Sequence, residues 1–301
     1  FREHFHGWHD YVSPESGINT QAGIPKETLS SVIVTEPIIE EIENLLRQDT
    51  DIAAVIIEPT GGHWGQFPLP NPKFLQELRR ITNDNNVVMI MDETITGFRM
   101  SRGGAQERFN VLPDLTTMGK IVAGGLPGGC IAGKAEIMDL ISAEDASNRI
   151  AHPGTFNGNP ISAAAGVACL EELAHNPVNE QADSMAIRLK DGLKNALSRR
   201  EVIGHVHGIA SVVHVVLGVE CDCSGDICTL SYSEIARGTG VGYHMDGGMS
   251  SNLKLAMLNE GIDMMGGIGF MVSSVHTQND VGRTADAFER SLIALRLEGM
   301  V

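Results

Sequence analysis

Two charged residues, each set at the end of a short apolar run, are the places where this chain could do chemistry. Val87-Val88-Met89-Ile90-Met91 runs into Asp92-Glu93, and Leu115-Thr116-Thr117-Met118-Gly119 runs into Lys120. Short apolar runs bounded by turn signals read as buried parallel strands, and in open α/β sheets ligands bind beyond the carboxyl ends of the strands. The sequence thus aims an aspartate and a lysine at one crevice. A carboxylate beside a ring nitrogen and a lysine able to form a Schiff base are the two protein groups that pyridoxal phosphate requires. On residue types alone, other readings stay open. Lys120 could be a solvated surface charge, and Asp92 could cap a helix, leaving Glu93 as the functional acid. A phosphate loop is excluded, because Ile121 follows Lys120 where Ser or Thr is needed and Asp114 holds the first glycine position.

Strands alternating with helices must position the pair. The pattern gives a strand over 53–57 ending in Glu58-Pro59, an amphipathic helix over 72–83, strands over 87–91 and 115–118, and a short helix over 134–141. Asn159-Pro160 supplies an N-cap and a proline at the first helical position for an Ala-rich helix to about Leu173. Such alternation implies right-handed crossovers and a mostly parallel sheet. After Asn176-Pro177 the character changes. A long polar helix to about Arg199 leads to strand-like runs over 202–206 and 211–219, a glycine- and thiol-rich loop and a helix over 251–260. Phe270 to Val275 reads as a strand, and Thr277-x-x-Asp280 as a capping box opening a last helix to about Leu297. The expected division is a large domain over 1–176 and a smaller α+β domain over 177–301.

The 301 residues carry a formal charge of −16, which argues against a nucleic-acid backbone or an anionic membrane as partner. No stretch approaches the ~20 apolar residues of a spanning helix and no secretory signal is visible, so a soluble, cytoplasmic protein is expected. Five cysteines without regular spacing fit reduced thiols. Cys221-x-Cys223-x4-Cys228, with His205, His207 and His214 upstream, invites a zinc reading, but the i, i+2 spacing is poor for one, and no metal is expected. The start at Phe1, inside a strand end, reads as that of a fragment.

A set of motifs narrows the chemistry. Met91-Asp92-Glu93-Thr94-Ile95-Thr96-Gly97-Phe98-Arg99, Gly103-Gly104-Ala105-Gln106, Pro113-Asp114-Leu115-Thr116-Thr117-Met118-Gly119-Lys120 and Gly124-Gly125-Leu126-Pro127-Gly128-Gly129 occur in that order. They are accompanied by Phe5-His6-Gly7, Glu58-Pro59 with Gly62 and Gly65, Gly154-Thr155-Phe156-Asn157-Gly158-Asn159-Pro160, and Val275-His276-Thr277. Together these cover nearly the whole chain and resemble class III pyridoxal-phosphate aminotransferases, in particular the branch that holds glutamate-1-semialdehyde aminomutase.

The resemblance implies the pyridoxal-phosphate transferase fold of the aspartate aminotransferase type. By position, Lys120 resembles the Schiff-base lysine and Asp92 the partner of the pyridine nitrogen. Phe5 stands where an aromatic stacks on the ring, and Thr155 where a residue reaches the phosphate of the neighbouring subunit's cofactor, which implies a homodimer with shared sites. Glu58 resembles a support of the ring contacts. His63 lies where the family often has asparagine near the phenolic oxygen, and Arg99 reads as a structural ion-pair partner. Three departures stand out. The family's phosphate-cupping loop lies upstream of Phe5 and is absent, Ile268 stands where the aminomutase has a glutamate, and Trp8 replaces a histidine. The expected activity is therefore a ping-pong transfer from an amino donor to an oxo-acid or aldehyde, with intramolecular aminomutase chemistry and a catalytically incomplete fragment as the alternatives.

Overall fold

In the computed structural model, which describes residues 1–13, 22–219, 221 and 247–301, the chain forms two compact units. The first holds residues 1–64 and 72–176, and the second holds residues 65–71 and 177–301. This departs from the contiguous division expected. The buried His207 donates from Nε2 to the Gly65 carbonyl at 3.3 Å, and buried Phe67 follows, so the 65–71 stretch finds its partners in the second unit.

In the first unit, β1 (Ala54–Ile57), β2 (Val88–Glu93) and β3 (Leu115–Gly119) lie parallel in that order, and β4 (Gly129–Gly133) is added antiparallel to β3. Helix α1 (Ile39–Gln48) precedes β1 and was not foreseen; it buries Ile42 and Leu46. β4 was not foreseen either, because Gly-Cys-Ile-Ala-Gly has low strand propensity and is held by its pairing with β3. Between β1 and β2, α2 (Phe74–Asp84) buries Phe74, Leu75, Leu78 and Ile81, the stripe its spacing predicts. After β2 comes the short α3 (Gly104–Phe109). The Ala-rich α4 (Pro160–His175) starts as expected, with Asn159 Oδ1 accepting from the N–H groups of Ile161 and Ser162.

Asp114 fixes the entry to β3. Its Oδ2 accepts from Arg79 Nη1 on α2 and from the Met89 backbone N–H on β2, both at 2.7 Å, and its Oδ1 meets Lys134 Nζ at 2.8 Å. Its own N–H donates to Met89 O at 2.9 Å. Burial disfavours the charge on Asp114, but Lys134, Met89 and Arg79 outweigh it and hold the carboxyl below its usual range.

In the second unit, β5 (Gly204–His207), β6 (Val212–Leu217) and β7 (Gly269–Met271) form an antiparallel sheet in that order. The strand expected over 270–275 is shorter, because the chain turns where the Ser273 N–H donates to His276 Nδ1 at 3.0 Å. Helices α5 (Val178–Arg200), α6 (Gly247–Asn259) and α7 (Gln278–Leu297) bury Leu189, Leu193, Leu253, Met257, Phe288 and Leu292 in one core with Val213 and Val215. The capping box forms as read: Thr277 Oγ1 accepts from the Asp280 N–H, and Asp280 Oδ2 from the Thr277 N–H.

Among the described residues no helix is long and apolar enough to cross a membrane, and no group of three or more His, Cys, Asp or Glu could hold a metal ion. Cys130 and Cys169 are free thiols, but Cys221 is disulfide-bonded, against the expectation of reduced thiols. A count over the whole chain says little about thiols that share one loop. Cys223 and Cys228 lie outside the described residues.

Replacing Asp114 by Asn leaves Arg79 and Lys134 without their counter-charge, and should cost about 2–3 kcal/mol at pH 7 by urea unfolding. Because the folded-state pKa is lowered, this stabilisation is present above the carboxyl's unfolded pKa and is lost as pH falls through the folded one. The gap between parent and variant should therefore close in acid.

Candidate active site

The chemistry of the first unit is set by which way two consecutive carboxylates point. Successive side chains on a strand face opposite sides of the sheet. At the end of β2, Glu93 turns to the N-terminus of α3. Its Oε2 accepts from the Ala105 N–H at 2.6 Å and from Thr96 Oγ1 at 3.0 Å, and its Oε1 from the N–H and Nε2 of Gln106 at 3.2 and 3.0 Å. A carboxylate at a helix N-terminus meets unpaired N–H groups and a favourable dipole, so Glu93 is a structural anchor. Asp92 takes the other side. Parallel register sets it opposite Thr117, whose Oγ1 donates to Asp92 Oδ1 at 3.1 Å, and the Thr94 N–H donates to the same oxygen at 3.0 Å.

The remaining oxygen, Asp92 Oδ2, accepts from His6 Nδ1 at 2.8 Å. Burial works against a charge here, but the hydrogen bond from His6, those from Thr94 and the charge of His6 outweigh it, holding the Asp92 carboxyl below its usual range. A carboxylate oxygen offers two lone pairs. Oδ1 takes Thr117 and the Thr94 N–H and Oδ2 takes His6, so Asp92 is an ionised acceptor.

The Phe5–His6 segment is held by Glu58, the buried carboxylate that follows β1. Glu58 Oε1 accepts from the Phe5 N–H at 2.8 Å and the His63 N–H at 3.2 Å, and Oε2 from the Trp64 N–H at 2.8 Å. These bonds tie the N-terminal segment to a turn in which His63 and Trp64 adopt left-handed backbone, at φ 49° and 52°. Burial pushes the Glu58 carboxyl up to about 7 despite the three backbone donors, with Asp92 adding to the rise. Phe5 packs edge-on against Trp8, ring centroids 5.2 Å apart, and His63 Nε2 lies 3.9 Å from Glu3 Oε2.

Lys120 follows β3 directly, next to the strand that ends in Asp92. Its backbone is left-handed at φ 53° and opens a 3₁₀ turn over Lys120–Ala123. The glycines after it let α4 come against that turn. A Cβ on Gly124 would collide with the Ala165 carbonyl and one on Gly166 with that of Val122, while Ser162 Oγ donates to Pro127 O at 2.7 Å. Lys120 is exposed as a residue, but its ammonium is partly desolvated. That desolvation lowers its pKa, against the pull of Asp92 and Glu58, and Arg99 pushes in the same direction as burial.

The structure therefore brings Phe5, Glu58, His63, Asp92 and Lys120 together around the carboxyl ends of β1, β2 and β3. It does not join Thr155 to them: Thr155 sits in an exposed turn ahead of the Asn159 cap. Arg99, read as an ion-pair partner, is a cation felt by Lys120. His6 and Thr117 were missed as partners of Asp92. Thr117 is visible only once β2 and β3 are in register, and His6 lies 86 positions from the carboxylate it serves.

Two titrations check this electrostatic layout in the cofactor-free protein. By carboxyl ¹³C shifts, Glu58 should titrate near pH 7, well above its ordinary 4.5. Its folded state binds the extra proton, so relative to Glu58→Gln the parent should lose stability as pH rises from about 4.5 to about 7. In His6→Phe, the Asp92 titration should move upward, and an unmoved Asp92 would show that His6 does not govern it.

Comparison with known proteins places this geometry. A family model described as aminotransferase class-III matches residues 9–247. Over 231 residues the chain is 41% identical to a glutamate-1-semialdehyde 2,1-aminomutase of Sulfolobus acidocaldarius, covering 73% of this chain and 53% of that protein. A protein of the same name from Methanococcoides burtonii is 36% identical over 299 residues, covering 96% of this chain and 66% of the relative. An omega-transaminase from Sphaerobacter thermophilus superposes with a TM-score of 0.83 at 29% identity, over 98% of this chain and 68% of that one. The chain thus spans between about half and two thirds of the length of these curated relatives, at 53% and 66%. The likeness bears out the expected α/β transferase fold with its mostly parallel sheet.

Proposed function

The chain belongs to the aminotransferase class-III family, and on that premise we propose that it is a pyridoxal-phosphate-dependent transaminase. It moves an amino group from an amino acid or amine to an oxo-acid or aldehyde in two half-reactions at one site. The observation that carries this reading is the pair at adjacent strand ends: Asp92, held ionised, beside Lys120, an amine with a lowered pKa.

These groups fit the cofactor. Lys120 would hold its aldehyde carbon through the amine, Asp92 would accept from the ring nitrogen, and Phe5 would cover a ring face. Glu58 acts from behind, through the backbone of Phe5 and His63, and His63 lines the same corner. When bound, pyridoxal phosphate supplies an electron-accepting ring that makes the substrate's α-proton removable. Lys120 takes that proton from the α-carbon and returns it, and desolvation raises the fraction of neutral amine available for the task. His6 keeps Asp92 charged, and a charged Asp92 would favour a proton on the ring nitrogen. Thr155, exposed in its turn, would meet the cofactor phosphate of a second copy, so the proposal includes a homodimer with shared sites.

A second reading, intramolecular amino transfer, is favoured by the name shared by the two relatives. Ile268 and Trp8 support the first. Omitting the keto acceptor separates them: a transaminase should stop after one half-reaction, whereas sustained turnover without acceptor would establish the mutase.

Lys120→Ala should lower turnover at least ~10²–10⁴-fold, the usual contribution of a positioned acid–base group. Borohydride should fix the cofactor to the parent and not to the variant. Visible absorbance that survives borohydride in Lys120→Ala would overturn the assignment.

A further inference from the structure

A cavity of about 590 Å³ in the first unit ends at two buried imidazoles, those of His4 and His6. Its walls are otherwise largely apolar, from Val32, Ile42, Leu46 and Val55 among others. His4 is 1% exposed and the His6 side chain 6%. Each ring has one nitrogen engaged. His4 Nδ1 accepts from the Glu58 backbone N–H at 2.9 Å, and His6 Nδ1 donates to Asp92 Oδ2 at 2.8 Å. Each ring also has a buried Nε2 with no hydrogen-bond partner among the described residues.

The engaged nitrogens dictate what the other two can do. A neutral imidazole carries one N–H and one lone pair. Because Nδ1 of His4 accepts, its proton sits on Nε2, which is a donor. Burial, with the N-terminus, His6 and His63 nearby, lowers the His4 pKa far enough to keep this ring neutral. Because His6 donates from Nδ1, its Nε2 is an acceptor whenever the ring is neutral. The two unpartnered atoms are thus complementary, and the ring centroids are 6.0 Å apart. Leaving both atoms bare in apolar surroundings is unfavourable.

We propose that His4 is a positioning residue for Asp92, and that it acts by sharing one hydroxyl group with His6. The hydroxyl accepts from His4 Nε2–H and donates to His6 Nε2. A proton moved to His6 Nε2 would leave the hydroxyl hydrogen without its acceptor and Asp92 without its donor, so the neutral His6 ring keeps its proton on Nδ1. The proposal rests on the transaminase reading only for what Asp92 does next. The titratable groups facing the two rings are Asp92 at the end of β2, Glu58 after β1, His63 in the following turn and the chain's own N-terminus. Water and a serine or threonine side chain offer the same hydroxyl chemistry.

The test uses the cofactor-free 301-residue chain with ¹⁵N-labelled histidine. In the parent, the neutral form of His6 should hold a single tautomer, protonated at Nδ1. His4→Phe keeps the ring bulk and removes the donor, and in it His6 should populate both tautomers. His4→Gln presents an amide N–H near the same place and should restore one tautomer. Exchange of the labelled protein into H₂¹⁸O, read as an isotope shift on His6 Nε2, identifies water; no shift identifies a side-chain hydroxyl, whose oxygen does not exchange with solvent. An unchanged His6 tautomer in His4→Phe would overturn the proposal, as would a parent His6 protonated at Nε2. Uptake of pyridoxal phosphate by the parent, scored by borohydride fixation at Lys120, is a separate readout. Its failure would sink the transaminase reading and leave the tautomer result standing.

Discussion

A carboxylate taken out of water loses several kcal/mol of hydration unless protein donors replace the solvent. The first unit meets this constraint four times, and much of its architecture follows from how. Glu58, Glu93 and Asp114 are each buried and each held by donors from a different stretch of chain. Glu58 gathers the N-terminal segment and the 63–64 turn, Glu93 gathers the start of α3, and Asp114 gathers α2, β2 and Lys134. Asp92 differs in its neighbour: it ends the strand beside the one that leads into Lys120, whose amine feels its charge.

The same constraint explains which parts of the site were legible in the sequence. Asp92 and Lys120 could be read because each ends an apolar run, and strand ends in a parallel sheet converge. The choice between Asp92 and Glu93 could not be made from residue types, since both are carboxylates one position apart. It is decided by the alternation of a strand and by α3, whose N-terminus claims Glu93. His6 and Thr117 escaped notice because a hydrogen bond across 86 or 25 positions leaves no local pattern. β4 escaped for a related reason: its glycines give it no strand signature, and its conformation is imposed by register with β3. The helices α2 and α4 and the cap of α7 were readable because their signals, an apolar stripe, Asn-Pro and a capping box, lie within four residues of one another.

Lys120 shows how backbone and side chain share one position. A non-glycine residue at φ 53° carries a strain of order 1–3 kcal/mol, and such strain is kept where the surroundings fix the conformation. Here the surroundings are the glycine turn and α4, packed so closely that Gly124 and Gly166 admit no side chain. The helix is thus part of the mounting for the amine, although no residue of α4 contributes a functional group to it.

The stretch 65–71 gives the chain a property that its two-unit division hides. Polypeptide passes from one unit to the other at 64/65, at 71/72 and again at 176/177. Three covalent crossings make the units inseparable by any single cut. Genetic dissection at residue 176 would leave one product carrying a stretch whose partners are gone, and the other with His207 robbed of the carbonyl of Gly65. The chain is thus modular in its packing and indivisible in its covalent path, and a mutation in the short 65–71 stretch is inherited by both modules at once.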